Sequence, residues 1–172
     1  MCRALRRALR HNQPMVARCS AGILLFRRGE TAIEVLLGHL GGPFWQRRDD
    51  SAWSIPKGEY EPGAELPLEA ARREFREELG VAVPAGVLMP LGEIRQSGGK
   101  VVTAWALEAD LDPESIVPGS FLLEWPRGSG TMQAFPELDR VSWFGLEAAR
   151  SKIIAGQREL LDRLQALPPT PR

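Results

Sequence analysis

Cysteine is scarce in this chain of 172 residues: there are two, Cys2 and Cys19, both near the N-terminus. Their spacing fits no metal-binding pattern. So few thiols exclude a disulfide-held scaffold and point to a reducing compartment, so a cytoplasmic location is expected. Net charge is lacking as well. The 22 basic and 22 acidic residues cancel, so no global field draws the protein to nucleic acid or to an anionic membrane. Long apolar runs are missing; none approaches the roughly 20 residues of a membrane span. Acid is missing from the first eighteen residues, which carry Arg3, Arg6, Arg7, Arg10 and Arg18. Arg-rich, acid-poor segments occur in organelle transit peptides, but this one has no apolar stretch of a secretory signal. A floppy basic arm, or an upstream start with Met15 as the alternative, accounts for it more simply. Residues 1–14 are therefore read as an unstructured arm and left out of the fold argument.

What is present suits one globular domain. Apolar residues make up 44% and charged residues 26%, enough for a sizeable core. Residues 17–28 and 33–39 read as two strands of a hairpin around Gly29 and Glu30. Trp53, Ser54 and Ile55 form a short strand that Pro56 ends. Residues 56–66 read as a Pro/Gly-punctuated loop. A helix is expected from Pro67, which suits a first helical position, with Leu66 as a poor cap. Ala71, Phe75 and Leu79 are its buried stripe, and Gly80 its left-handed C-cap. Strands at 87–95 and 100–109 flank the turn Ser97-Gly98-Gly99. Residues 112–136 read as loop, 141–144 as a strand, and 146–155 and 157–167 as helices split by Gly156. Strands mixed with few helices, without a regular βαβ alternation, predict an α+β layered domain over 15–167, followed by a tail at 168–172.

The helix at 67–79 carries the chemistry. Glu74, Glu77 and Glu78 stand at i, i+3 and i+4, with Cβ atoms about 5–6 Å apart on one face. Such like charges repel by a few tenths of a kcal/mol per pair. A hard divalent cation reverses the sign, because Mg²⁺ takes carboxylate oxygens together with substrate phosphates. Surface ion pairs such as Glu69–Arg73 and Arg73–Glu77 would explain the charges without function; the loop before and Gly80 after favour a metal site.

The stretch from Gly58 to Val81 resembles the Nudix box of the Nudix hydrolases: Gly, five residues, Glu, seven residues, Arg-Glu, an apolar residue, any residue, Glu-Glu, any residue, Gly, an apolar residue. Arg73 through Val81 match at every defined position, and Glu65 stands correctly before Arg73. Gly58 is one residue too far from Glu65, which reads as a one-residue insertion within 59–64. The preceding Trp-Ser-Ile-Pro-Lys-Gly and the order of the other elements agree with the family from about Val16 to Leu167.

The resemblance implies a Nudix-type α/β/α sandwich: a mixed β-sheet, the box as a loop–helix–loop, and a C-terminal helix. It implies Mg²⁺- or Mn²⁺-dependent hydrolysis of a pyrophosphate bond in a nucleoside diphosphate-linked substrate, such as a dinucleoside polyphosphate, a nucleoside triphosphate or a nucleotide sugar. Glu77 and Glu78 would be the main metal ligands. Glu74 would be a third ligand or orient the attacking water, and the backbone carbonyl of Gly58 would add a neutral oxygen. Arg73 would clamp the loop to a box carboxylate, and Lys57 would touch phosphate. Some members draw a further carboxylate from a late loop; Glu137 is the candidate here and Glu124 its rival. Phe44 and Trp45, after Gly41-Gly42-Pro43, fit a base-stacking lid less well than a packed hairpin loop. His39 reads as a strand-end hydrogen bonder. Subfamily marks for ADP-ribose or diadenosine polyphosphate are absent around Gln96-Ser97-Gly98. Two other readings stay open: a non-catalytic nucleotide-binding Nudix regulatory module, and an RNA 5′-end pyrophosphohydrolase using Arg47 and Arg48. The expected partner is a small nucleotide, not nucleic acid or membrane, and a homodimer stays open.

Overall fold

A computed structural model describes residues 17–168; the basic arm and the last four residues of the tail lie outside them. In chain order the elements are β1 (Cys19–Arg28), β2 (Ile33–Leu40), β3 (Trp53–Ser54), β4 (Lys57–Tyr60), α1 (Pro67–Leu79), β5 (Leu88–Arg95), β6 (Val101–Glu108), β7 (Ser120–Glu124), β8 (Met132–Pro136), β9 (Leu138–Gly145), α2 (Leu146–Lys152) and α3 (Arg158–Gln165). Among these, no helix is long and apolar enough to cross a membrane.

Strand β1 is the spine of a mixed sheet. It runs parallel to β6 over its length and antiparallel to β2 and β4. Its apolar run is continuous because both faces are covered. Ala21, Ile23 and Leu25 point to the layer of α1, with Ala70, Ala71, Phe75 and Leu79. Leu24 and Phe26 point to the layer of α2 and α3, with Ala149, Ile153, Leu160, Leu161 and Leu164. Each fully buried Leu, Ile or Phe contributes about 1.5–3 kcal/mol, so the two layers hold the sheet from both sides. The α/β/α sandwich expected from the resemblance is the architecture observed.

Two segments read as loop contain strands. Within 56–66, β4 pairs with β1 from Cys19↔Tyr60 to Gly22↔Lys57. It hid because four residues beside Pro56 and Gly58 are too short for an alternating pattern. Within 112–136, β7 and β8 form a hairpin, from Ser120↔Pro136 to Glu124↔Met132. This two-stranded sheet is separate from the main one. Its faces are only partly buried, so the sequence carries no clean inside–outside alternation. Strand β9 is also longer than the four residues expected, because it pairs with β2 along that strand's length.

Strand β1 changes partner along one edge. Its C-terminal end, Phe26–Arg28, pairs with β2, and its N-terminal end pairs with β4. Strand β4 is thereby laid beneath α1, and this delivers Lys57 and Gly58 to the glutamate-bearing helix.

Candidate metal and phosphate site

Helix α1 starts at Pro67 without a side-chain cap from Leu66 and ends at Gly80. Gly80 has φ +69°, and a Cβ there would lie 2.2 Å from the Val117 carbonyl oxygen. Glycine thus lets residue 117 close on the helix end, where the Val117 N–H donates to the Leu79 carbonyl (3.0 Å). With Phe75 and Leu79 turned into the core, the glutamates are graded by depth. The Glu74 side chain is 13% exposed and that of Glu77 57% exposed. Glu78 faces β4, and its Oε2 accepts the Lys57 backbone N–H (3.0 Å).

Arg73 is the mechanical centre of the loop. Its Nε and Nη2 fork onto the two oxygens of Glu65 (3.0 and 2.9 Å). Nη2 also reaches the Glu59 carbonyl (3.2 Å), and Nη1 donates to Glu74 and to Glu77 (3.1 Å). The Glu65 hydrogen bond leads in raising the guanidinium pKa above its ordinary value, and Arg73 holds the Glu65 carboxyl below the usual range. One planar fork therefore fastens the turn, β4 and the helix together.

The extra residue before Glu65 leaves the strand pairing undisturbed. The β4 register against β1 is unbroken. The chain then turns through residues 61–65, where Ala64 and Glu65 donate to the Glu61 carbonyl (3.1 and 3.2 Å). A Cβ on Gly63 would meet nothing within 4 Å. The insertion lies in open solvent, and Glu65 still meets Arg73.

Gly58 lies directly under Glu74. A Cβ on it would fall 1.8 Å from Glu74 Oε2, so only glycine lets that carboxylate rest on the β4 backbone. Glu137, between β8 and β9, joins the same neighbourhood. Its N–H donates to the Gly119 carbonyl (2.9 Å), and a Cβ on Gly119 would stand 3.1 Å from Glu137 Oε2 and 3.0 Å from the Glu77 carbonyl oxygen. Glu124 stays in its own hairpin, accepting from the Gly130 N–H (2.6 Å).

The electrostatics register the crowding. Burial pushes the Glu78 carboxyl up to about 7, against the pull of the Lys57 charge and N–H, with Glu137 and Glu74 raising it further. Burial raises Glu137 too, followed by Glu74 and Glu77. Burial lowers the Lys57 ammonium, opposed by Glu78. Four carboxylates thus share one neighbourhood with one partly buried lysine, a pattern typical of functional sites.

A hard cation fits this donor set: it is all oxygen and its surplus negative charge is partly shielded from water. In their present rotamers no three Asp, Glu, His or Cys side chains converge on one point among the described residues. Glu74 is turned to Arg73, and Glu78 to the β4 backbone.

Some contributors had no local signal in the sequence. The Glu59 carboxylate pairs with Lys100 (3.2 Å) and Arg18, and the Lys100 charge acts on Lys57. The Gly119 carbonyl anchors Glu137. These residues come from distant parts of the chain, and only pairing of β1, β4 and β6 brings Arg18, Glu59 and Lys100 together. Elsewhere, buried His39 lies between Asp139 Oδ1 (2.6 Å) and the Arg48 carbonyl (2.7 Å), bracing the loop after β2. Trp45 packs on the core, whereas Phe44 is exposed.

Solved structures with this fold include a C. elegans Ap4A hydrolase binary complex (24% identity, 86% of this chain and 96% of that one, TM-score 0.59). They also include the NUDIX domain of Shewanella oneidensis NrtR complexed with ADP ribose (15% identity, 91% and 93%, TM-score 0.59). A mutT/nudix family protein from Listeria innocua is similar as well (17% identity, 87% and 92%, TM-score 0.55). A comparison with the curated proteins finds no match. The family model for the NUDIX domain matches residues 17–164, a span that holds both layers of the sandwich and the glutamate helix. The chain belongs to the NUDIX domain family.

Proposed function

We propose that the protein is a Mg²⁺- or Mn²⁺-dependent pyrophosphohydrolase acting on a nucleoside diphosphate-linked substrate: a dinucleoside polyphosphate, a nucleoside triphosphate or a nucleotide sugar. The observation that carries this reading is the surplus of negative charge, Glu74, Glu77, Glu78 and Glu137 gathered against Lys57. Carboxylates are placed together against their repulsion where a cation and phosphates complete the set.

In this reading Glu77 and Glu78 hold the cation. Glu74 is a third ligand or orients the attacking water, and the Gly58 carbonyl adds a neutral oxygen. A bound divalent cation supplies charge neutralisation at the diphosphate and a lowered pKa for its water. Lys57, among Glu78, Glu74 and Glu59, meets a phosphate oxygen as a point charge. Glu137, within electrostatic reach of Glu74 and Glu77, adds a further carboxylate to the set. Arg73 acts on the loop and on Glu74, holding residues 59–65 in place.

The test is a panel of nucleotides incubated with Mg²⁺ in ¹⁸O-labelled water. The expected result is cleavage at a phosphoanhydride with label in one product, stopped by chelation. Glu77→Gln or Glu78→Gln lowers kcat by orders of magnitude with the fold retained, since a ligand charge goes and the shape stays. Binding without turnover across the panel would instead make the protein a nucleotide-binding module.

A further inference from the structure

The β7–β8 hairpin is an unusual piece of the molecule. Two strands paired only with each other are marginal in water, and this pair carries exposed Leu122 and Met132. At its foot, Phe135 is buried and lies 6.2 Å from Phe121 between ring centroids. Phe121 in turn touches Gly42, where a Cβ would lie 3.1 Å from its Cζ. The foot is joined to the carboxylate cluster through Glu137. The Gly41 N–H donates to the Glu137 carbonyl (2.9 Å), and the Glu137 N–H to the Gly119 carbonyl just before β7.

The far end of β7 holds Trp125, edge-to-face with Phe44 (centroids 5.5 Å, planes at 83°). Phe44 is 57% exposed. A buried aromatic pair would be core; this one stands at the surface. An edge-to-face contact also leaves both faces of the edge-on ring unused by the pair. Phe44 follows Gly41 by three residues, so its Cα lies no more than about 11 Å from that of the residue bonded to Glu137. A nucleoside whose phosphates lie against the carboxylates spans such a gap. Nothing given by the box motif explains aromatics here, while a nucleobase stacks on aromatic faces regardless of its hydrogen-bonding edge.

We infer that Phe44 and Trp125 form the nucleobase subsite, with the β7–β8 hairpin as a base-reading arm anchored at Glu137. This rests on the pyrophosphohydrolase reading and deepens it. The occupant is a heterocyclic base attached to the diphosphate, and the arm selects for a base more than for its identity. Because the arm and Glu137 share one stretch of backbone, a stacked base also fixes the position of that carboxylate.

The test compares binding of ATP and of inorganic tripolyphosphate to full-length protein in Ca²⁺, followed by tryptophan fluorescence and calorimetry. The wild type is expected to hold ATP at least about tenfold tighter than tripolyphosphate, with fluorescence quenched by ATP. Phe44→Ala and Trp125→Ala are expected to erase that advantage, and Trp125→Phe, which keeps a stacking face, to retain most of it. Thermal unfolding of each variant reports whether the hairpin and fold persist; because Phe44 lies outside the hairpin, Phe44→Ala tests the subsite even if Trp125→Ala unfolds. An unchanged preference in folded alanine variants, or a wild type that binds both ligands equally, overturns the subsite alone. Failure to bind either ligand, with no turnover on the panel, overturns the pyrophosphohydrolase reading and the subsite with it.

Discussion

At the scale of single residues, Glu78 is the group whose setting says most. Its ordinary value is 4.5, and burial raises it to about 7 in the folded protein. Between those values the folded state keeps a proton that the unfolded chain has lost. The group's contribution to stability therefore falls as pH rises through that window, and the penalty is fully present above it. In chelator-treated protein, Glu78→Gln should gain stability relative to wild type on going from pH 5 to pH 8, by on the order of 1 kcal/mol. A difference that is flat with pH, measured by denaturant unfolding, would mean that Glu78 is solvated. Gly58 gives a second residue-scale test. Gly58→Ala puts a methyl 1.8 Å from Glu74 Oε2, so the carboxylate must leave the β4 backbone. Kcat should drop at least about tenfold while stability changes by about 1–3 kcal/mol, the usual cost of overpacking. Full activity in that variant would remove Glu74 from the working site.

At the scale of elements, helix α1 was legible because its period, its proline start and its glycine stop agree. Strand β4 was not, since nothing in four residues distinguishes a strand from a Pro/Gly loop until β1 is there to pair with. The consequence is mechanical: β4, and not a loose loop, supports Lys57 and Gly58. The turn after it, residues 61–65, is the tolerant part. Deleting Ala64 should shift the unfolding midpoint by only a few degrees and leave the Arg73–Glu65 fork in place, while kcat/KM ratios across the nucleotide panel change. A collapse of thermal stability would show that the extra residue is structural. The β7–β8 hairpin escaped the sequence reading for the opposite reason. Its strands are short and half-exposed, and the prolines and glycines around them in 112–136 outweigh their few apolar residues, so no clear period marks them.

At the scale of the whole molecule, cation binding should be linked to folding. A ligand that binds only the folded state at 100 times its Kd stabilises by about 2.7 kcal/mol, or roughly 5–10 °C for a chain of this size. Mg²⁺ or Mn²⁺ should raise Tm to that extent at pH 8. Glu77→Gln should lose most of the shift, and an equal shift in the variant would place the cation elsewhere. The linear order of residues determined the glutamate helix, its boundaries and the resemblance that foretold the sandwich, because helical period and motif spacing are local properties. The convergence of Glu137, Lys57 and the Glu59 carbonyl on that helix was decided only by the folded sheet. Strand β1 exchanges one partner for another along its edge, and that long-range pairing leaves no trace in any short window of sequence.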